Sequence, residues 1–294
     1  MDLSRYKSTR DSAPSSNFAL MAAPIEPTVY LVSGANRGIG MLHAQACVAE
    51  HAHGNTSPGL AIVTLLASRS DAVVFAGARS PESADKLHAL SRAHPGRVHT
   101  VKLVSADRAN NDAAVEEIKR TVARLNVVIA NAGISDCFKD ALAISPEEMT
   151  RHFEVNTNGP LVLFQATYPL LRASNAPKFA AVTSHVGSIA GGTQLENTVY
   201  AYGASKAALN WVTRKLHFQY PEITIFPIAP GGADTDMVKV SLTQDPGMQK
   251  VIDGYSLVPP EVCARGILEQ VDIATRETHG GKLVDYTGLD KWEW

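Results

Sequence analysis

The sequence has too few cysteines for a disulfide framework and no apolar run long enough to cross a membrane. Cys47, Cys137 and Cys263 are far apart and odd in number, and no metal-binding spacing links them. The longest apolar run, Leu60–Ala67, is far shorter than the roughly 20 residues that a membrane-spanning helix needs. The N-terminus lacks the apolar core of a signal peptide. We therefore expect a cytoplasmic protein with reduced thiols and no membrane partner.

The sequence also lacks an excess of charge of either sign. Its 27 basic and 29 acidic residues are mixed along the chain and give a net charge of -2, so no basic stripe for nucleic acid is present. Hydrophobic residues make up 45% of the 294 residues and charged residues 19%, which is typical of a globular protein with a sizeable core. His43, His51 and His53 lie close together, but no Asp or Cys completes a ligand set, so we predict no metal.

The pattern of apolar residues divides the chain into a tail and one domain. Residues 1–26 are rich in Ser and Pro and lack hydrophobic periodicity, which predicts a mobile tail. From residue 27 to 294, short β-branched runs alternate with segments of helical spacing. This alternation predicts a single-domain, doubly wound parallel α/β sheet of the Rossmann type, with about seven strands and helices on both faces. The predicted strands are Thr28–Ser33, Ala72–Gly77, Val98–Leu103, Asn126–Ala130, Lys178–Thr183, Glu222–Ile228 and a short edge strand, Lys282–Tyr286. The predicted helices include Pro81–Ala93, Ala109–Arg124, Pro146–Ala173 and Tyr200–Gln219.

A glycine-rich turn follows the first predicted strand, with the spacing G-x-x-x-G-x-G. Glycines at this place let the chain turn sharply and let backbone N–H groups approach a pyrophosphate at a helix N-terminus. The alternative is a tight strand-to-helix turn that binds no ligand. The candidate cofactor-binding residues of this turn are Ser33, Gly34, Arg37, Gly38, Ile39 and Gly40.

The end of the second predicted strand lacks an acidic residue. An acid there would accept hydrogen bonds from the adenosine ribose and repel a 2′-phosphate. The chain instead has Arg79, and together with Arg37 it would bind a 2′-phosphate through charge-assisted hydrogen bonds. The alternative is that both are solvated surface arginines. The pattern favours NADP(H) over NAD(H).

The stretch Met41–Gly59 interrupts the expected link between the glycine turn and the first helix. Without it, Gly40 runs directly into the apolar segment Leu60–Leu66. We interpret residues 41–59 as a probable insertion at the N-terminus of the pyrophosphate-binding helix, which should weaken cofactor binding. The alternative is that Met41–His51 itself forms that helix, followed by a loop and a further helix.

Four polar residues are placed where a catalytic site would form. Tyr202 and Lys206 lie one helical turn apart on one face, and a nearby ammonium lowers the pKa of a phenol. Ser184 follows a buried strand, at the sheet edge where such folds bind ligands. Asn156 lies within a helical stretch, where it either satisfies local hydrogen bonds or holds a water. A Tyr–Lys helix pair alone is common, so the neighbours carry the prediction.

Further candidates for cofactor contact follow the fourth and sixth predicted strands. Asn131 and Gly133 belong to an Asn-Ala-Gly sequence, and Ala233 and Thr235 lie in the stretch after Pro230. Taken in chain order with the turn, the Asn, the Ser and Tyr-x-x-x-Lys, these elements resemble the short-chain dehydrogenase/reductase family over residues 28–240. The segments 201–206 and 214–218 and the C-terminal Trp294 are similar to fungal ketoreductases of the norsolorinic acid ketoreductase type.

The resemblance implies a role for each matching residue. Tyr202 would be the acid/base, Lys206 would bind the nicotinamide ribose and lower the pKa of Tyr202, and Ser184 would orient the substrate oxygen. Asn156 would hold a water in a proton relay. Asn131 and Thr235 would contact the cofactor.

The chain departs from the family pattern at three more places. Ser33 replaces the usual Thr but keeps the hydroxyl. The family's adenine-binding Asp falls at Val104, with Asp107 displaced, which puts adenine recognition in doubt. The 18-residue gap from Ser184 to Tyr202 is long, and its glycines predict a flexible loop that widens the substrate mouth.

The sequence favours an NADP(H)-dependent ketoreductase that acts on a small-molecule carbonyl or alcohol, and the resemblance to the fungal enzymes implies an aromatic polyketide ketone. One alternative is a catalytically weak, NADPH-binding regulatory protein. Another is an NAD-dependent alcohol dehydrogenase, which Arg37 and Arg79 disfavour. Family resemblance also implies a homodimer or homotetramer formed through the long helices Pro146–Ala173 and Tyr200–Gln219; the alternative is packing of these helices on the sheet alone.

Overall fold

The computed structural model describes residues 26–36, 57–254 and 257–294, and these form one parallel sheet with helices on both faces. The seven described strands pair in the order β3-β2-β1-β4-β5-β6-β7, and every pair of neighbours is parallel. This arrangement confirms the predicted fold class. The strands are β1 Thr28–Val32, β2 Ala72–Ala78, β3 Val98–Lys102, β4 Val127–Ala130, β5 Lys178–Val182, β6 Thr224–Ala229 and β7 Val284–Asp285.

The direction of winding reverses between β1 and β4. The chain moves from β1 outward to β2 and β3, returns to β4 and then continues outward to β7. The strands β1, β2, β4 and β5 are buried on both faces, which explains their continuous apolar runs. Ligands of such sheets bind beyond the carboxyl ends of the strands at this switch point.

The described helices cover both faces of the sheet. One core cluster packs α1 and α9 on the sheet, with Ile62 and Ile267 fully buried; the other packs α3, α5 and α6, with Phe164 and Phe179 buried. The helices are α1 Pro58–Ala67, α2 Asp85–Ala93, α3 Arg108–Lys119, α4 Pro146–Phe153, α5 Gly159–Arg172, α6 Tyr200–Gln219, α7 Asp236–Gln244, α8 Met248–Asp253 and α9 Pro260–Ile273.

The helix predicted over Pro146–Ala173 is interrupted, which corrects the expectation of one regular helix. Ser145 and Glu148 form a capping box at the start of α4. A π-helical turn, Glu154–Asn158, then separates α4 from α5, and the N–H of Gly159 bonds the carbonyl of Glu154. Such turns break the 3.6-residue repeat and frequently mark functional sites.

Several predictions fall outside the described residues. These are the tail up to residue 25, Cys47, the three histidines 43, 51 and 53, and all of the proposed insertion except residues 57–59. Cys137 and Cys263 are buried, unpaired thiols. None of the described helices combines the length and apolarity needed to cross a bilayer. In the same part of the chain, no cluster of three or more His, Cys, Asp or Glu side chains is placed to hold a metal ion.

Candidate active site

A cavity of about 650 Å³ lies at the carboxyl ends of the strands, across the switch point. Loops that follow β1 to β6 line it, together with α1, α6, α7 and α8. Its wall runs from Gly34 and Arg79 at one end to Tyr202 and the α7–α8 segment at the other. Its position matches the place where doubly wound sheets bind ligands.

The structure brings Ser184, Tyr202 and Lys206 together at the floor of this cavity. The side chain of Ser184 lies near the Tyr202 hydroxyl, close enough to lower the pKa of the phenol. Lys206 is 3% exposed; its Nζ donates to the carbonyl of Val182 at 2.8 Å and lies 5.7 Å from the centre of the Tyr202 ring. The end of β5 therefore supplies the serine and anchors the lysine, while the first turns of α6 supply the phenol.

Burial shifts the pKa of both titratable members of this group. It raises the pKa of Tyr202 to about 12, and the hydrogen bond from Ser184 offsets only part of this effect. It lowers the pKa of Lys206 to about 7. Desolvation dominates the pKa of the phenol in this structure, where the amine bonds a backbone carbonyl, and a lowering of this pKa by Lys206 stays a prediction. The phenol is thus protonated at neutral pH, which is the form that donates a proton.

Asn156 is fully buried in the π-helical turn, where its side chain connects three parts of the site. Its Oδ1 accepts from the N–H of Ile134 at 2.8 Å, and its Nδ2 donates to the Ile134 carbonyl at 2.8 Å and to Ser205 Oγ at 3.0 Å. Both amide donors are therefore used within the protein. A water held by Asn156 stays a prediction, and this side chain has only one acceptor lone pair left for it.

Ser205 is a further member of the site that the sequence reasoning missed. Its hydroxyl donates to the carbonyl of Tyr202 at 2.7 Å and accepts from Asn156. The hydroxyl of Thr157 donates to the carbonyl of Ser205 at 2.8 Å. The π-helical turn is thus hydrogen-bonded to the first turns of α6, which orients the helix that carries Tyr202. The only sequence signal for this role is that Ser205 directly precedes Lys206.

Ser33 and Asn131 connect the ends of β1 and β4. Ser33 Oγ accepts the N–H groups of Asn131 and Ala132 at 3.0 and 3.1 Å, and Asn131 Nδ2 donates to the carbonyls of Ser33 and Gly34 at 3.1 and 3.2 Å. Gly133 lies between this brace and the lysine, since a Cβ there would lie 3.4 Å from Lys206 Nζ. The described contacts of Ser33 and Asn131 are structural, and their contact with a cofactor stays a prediction.

Helix α1 begins at Pro58, within the stretch interpreted as an insertion. Ser57 caps the helix, and its Oγ accepts the N–H of Leu60 at 3.1 Å. Gly34 turns at φ +64°, and a Cβ on Gly59 would lie 2.3 Å from the Gly34 carbonyl oxygen, so only glycine fits at the second helical position. The predicted cofactor residues that lie outside the described chain are Arg37, Gly38, Ile39 and Gly40.

Proline and capping leave few backbone donors at this helix start. Pro58 has no N–H, and the N–H of Leu60 is bonded to Ser57. Of the first three helical positions, only Gly59 therefore has an N–H that is available to a ligand. Anion binding at helix N-termini depends on such donors. The start of α1 is therefore a poor pyrophosphate site for a helix in this position.

Arg79 lies at the end of β2, exposed on the cavity wall beside Ser80. Among the described residues, no acidic side chain pairs with its guanidinium. The nearby acid Asp107 is occupied elsewhere: its carboxylate caps α3 by accepting the N–H of Asn110 at 2.9 Å. Val104, by contrast, lines the cavity. This end of the cavity thus has a positive group and no described carboxylate that would repel a phosphate.

The opposite half of the cavity is apolar and was not assigned from the sequence. Ala233 and Thr235 lie on the wall as predicted, and Thr235 caps α7 through the N–H of Val238 at 3.4 Å. The segment α7–α8 faces them with aliphatic and thioether side chains. These apolar wall residues are Met237, Val238, Met248, Val251, Ile252 and Leu257.

The loop between Ser184 and Tyr202 is closely packed, which corrects the expected glycine flexibility. A Cβ on Gly187 would lie 2.7 Å from the backbone carbonyl carbon of Lys206, and one on Gly192 would lie 2.4 Å from the carbonyl oxygen of Val186. These glycines permit close approach of backbone and helix. The loop therefore forms a firm wall of the cavity.

Comparison with known proteins defines the class of this chain. A family model described as short chain dehydrogenase matches residues 54–246, more than half of the sequence. This chain also has the parallel sheet and the cluster of Ser184, Tyr202 and Lys206 described above. The protein is a member of the short-chain dehydrogenase family of oxidoreductases.

Individual relatives agree with the resemblance found in the sequence. Norsolorinic acid ketoreductase of Aspergillus parasiticus is 32% identical over 278 residues, which cover 92% of this chain and 93% of that protein. The short chain dehydrogenase gsfK of Penicillium aethiopicum is 31% identical over 268 residues, covering 90% and 98%. The crystal structure of NADPH-bound carbonyl reductase from chicken fatty liver has a TM-score of 0.73 and 26% identity, covering 92% of this chain and all of that one.

Proposed function

We propose that this protein is an NADPH-dependent ketoreductase in which Tyr202 is the proton donor. The observation that carries the proposal is the convergence of the Tyr202 and Ser184 side chains on the cavity, with buried Lys206 behind the ring. In reduction, Tyr202 donates its phenolic proton to the carbonyl oxygen while Ser184 donates a hydrogen bond to the same oxygen. The raised pKa of Tyr202 keeps that proton in place at neutral pH.

The cavity supports a nicotinamide dinucleotide, which supplies the hydride when bound. In this proposal Arg79 and Ser80 hold the 2′-phosphate, and the ammonium of Lys206 binds the nicotinamide ribose. The NADPH in the chicken carbonyl reductase structure supports the same cofactor here. The sparse N–H donors at the start of α1 disfavour tight pyrophosphate binding, and this feature keeps a catalytically weak, NADPH-binding protein as the second candidate.

The apolar half of the cavity supports a bulky, largely apolar carbonyl substrate. Thioether and aliphatic side chains of α7–α8 adapt to large, flat molecules. The relatives named norsolorinic acid ketoreductase support a ketone substrate, and the sequence resemblance adds the aromatic polyketide class to this proposal. NADPH oxidation with a panel of aromatic ketones tests it. Turnover by the wild type supports the ketoreductase, whereas NADPH binding without turnover of any ketone supports the second candidate.

Pairing of two or four copies through α5 and α6 is also proposed. Trp211 and Phe218 lie on α6 and are 68% and 63% exposed, although both are large and apolar. Burial of such side chains against a second copy is favourable. Sedimentation of the purified protein tests the pairing, and a cytoplasmic location stays a prediction.

Replacing Arg79 with Gln tests the proposed preference for NADPH. We expect the Kd for NADPH to rise about tenfold, since a charge-assisted bond to the 2′-phosphate is lost, while the Kd for NADH is unchanged. Fluorescence titration measures both. Arg92→Gln is the matched control, because Arg92 is an exposed arginine of α2 that lies off the cavity wall. Equal weakening of both cofactors by Arg79→Gln would contradict this role.

The lowered pKa of Lys206 predicts a pH dependence of cofactor binding. Because burial lowers this pKa to about 7, the ammonium is present below pH 7 and is lost as the pH rises above it. We expect NADPH affinity, relative to the Lys206→Met variant, to decline as the pH rises through about 7. Titrations of both proteins from pH 6 to about pH 9 measure this ratio. A ratio that stays constant over this range would rule out an ammonium contact that titrates there.

A further inference from the structure

The residue that follows Ser184 is tied to the far edge of the sheet. His185 Nε2 lies 2.6 Å from Asp285 Oδ2, and 100 residues separate the two in sequence. Asp285 belongs to β7 and is 5% exposed, and its other oxygen accepts the N–H of Thr287 at 2.8 Å. Burial acts to raise the pKa of Asp285, but the bonds from His185 and Thr287 outweigh it and lower the pKa. The carboxylate is therefore an ionised, fixed anchor for His185.

The segment after β7 also holds this histidine from its ring face. The rings of Trp292 and His185 stack with centroids 4.0 Å apart and an angle of 18°. Beyond them, the carbonyl of Trp294 accepts the N–H of Ala190 at 2.9 Å, and the guanidinium of Arg214 lies 4.8 Å from the centre of the Trp294 ring. Residues 285–294 thus hold the loop that starts at Ser184 in place.

A short 3₁₀ turn links these contacts to Ser184. Ser184 begins this turn: its carbonyl accepts the N–H of Gly187 at 3.0 Å, and its Oγ accepts the N–H of Val186 at 3.3 Å. On the other side, Asn210 Nδ2 donates to the Gly187 carbonyl at 3.1 Å. Because few free dihedral angles separate His185 from Ser184, a displacement of His185 moves the hydroxyl of Ser184.

We propose that the Asp285–His185 pair, stacked on Trp292, is a positioning device that holds Ser184 in hydrogen-bonding distance of Tyr202. This inference rests on the proposed ketoreductase function. Asp285 and Trp292 act through His185 and the 3₁₀ turn, and Ser184 is the residue that meets the substrate. Loss of the contacts of Asp285 and Trp292 with His185 displaces Ser184 but leaves unchanged the part of the cavity that would bind the dinucleotide.

The test uses Asp285→Asn and, as a second route to the same loss, Trp292→Leu. Asp272→Asn is the matched control, because it removes a carboxylate paired with an arginine, Arg69, outside the cavity wall. We expect kcat to fall about 10- to 100-fold in both test variants, as small misplacements of reacting groups produce. The Kd for NADPH should be unchanged, and the control should match the wild type.

A double-mutant cycle with Ser184→Ala separates positioning from general damage. Single-turnover NADPH oxidation at excess enzyme, followed over hours, gives rates for slow variants. If Asp285 acts through Ser184, then Asp285→Asn has little further effect in the Ser184→Ala background. Effects that add fully in the cycle would overturn the proposal.

Hydrogen exchange of the 185–188 amides gives a readout that needs no turnover. Asp285→Asn and Trp292→Leu should speed exchange in this peptide, and Asp272→Asn should not. An inactive wild type with this exchange pattern would reject the ketoreductase function but retain the anchor. Unchanged exchange in both test variants would reject the anchor itself, whatever the activity.

Discussion

Replacing Tyr202 with phenylalanine lowers kcat for ketone reduction by about 10²- to 10⁴-fold, the usual contribution of a positioned general acid. The variant removes only the hydroxyl near Ser184, so the ring still packs beside Lys206. The Kd for NADPH should stay close to the wild-type value. Steady-state NADPH oxidation and fluorescence titration measure the two quantities.

Tyr200→Phe is the matched control for this experiment. Tyr200 is the other tyrosine at the start of α6, is 48% exposed and has alanine, not lysine, four residues later. Its loss should leave kcat unchanged. If the two variants slow the reaction equally, or if Tyr202→Phe keeps full activity, the acid is a different group.

Deleting residues 41–59 raises the affinity for NADPH by about 10- to 100-fold. The deletion places Gly40 directly before Leu60, where Gly59 stands now, so the glycine that must lie against the Gly34 carbonyl is retained. Ile39 replaces Pro58 and adds an N–H, and loss of Ser57 releases the N–H of Leu60. One added hydrogen bond to a charged group contributes roughly 1.5–3 kcal/mol, which corresponds to this increase.

A point variant separates the missing donor from the other effects of the deletion. Pro58→Ala restores one N–H at the start of α1 in the full-length chain and should raise NADPH affinity by a smaller factor than the deletion. Fluorescence titration of the wild type and both variants provides the comparison. Equal Kd values in all three proteins would show that residues 41–59 do not impair the cofactor site.

The sequence predicted the sheet, and which polar residues gather at its carboxyl edge, because each depends on local patterns. Buried parallel strands read as apolar runs, and their carboxyl ends must meet at one edge, which brings Ser184 and Asn131 to the cavity. The helical spacing of Tyr202 and Lys206 set their common face. These inferences needed no knowledge of which distant side chains touch.

The features that the sequence did not predict depend on burial or on distant contacts. The raised pKa of Tyr202 follows from desolvation, which exceeds the opposite effect of the Ser184 side chain. The His185–Asp285 bond joins residues 100 positions apart, so no local sequence pattern indicates it. The π-helical turn around Asn156 leaves no mark in a pattern that reads as one continuous helix.

The roles proposed for several predicted residues rest on a cofactor that must bind across the switch point. Asn131 and Ser33 brace the ends of β1 and β4, and Asn156 braces α6, so their described contacts keep the cavity in shape. A change at any of them is expected to alter cofactor binding and catalysis together. Tyr202 and Arg79 differ from them. Replacing Tyr202 should lower catalysis alone, and replacing Arg79 should weaken cofactor binding alone.

A crystal structure of the protein soaked with NADPH would show whether the cofactor binds across the switch point. We expect the nicotinamide ring to lie beside the Tyr202 and Ser184 hydroxyls, with Lys206 Nζ hydrogen-bonded to its ribose and Arg79 on the 2′-phosphate. A nicotinamide bound away from Tyr202, or a Tyr202 hydroxyl beyond hydrogen-bonding distance of Ser184 in that complex, would contradict this expectation.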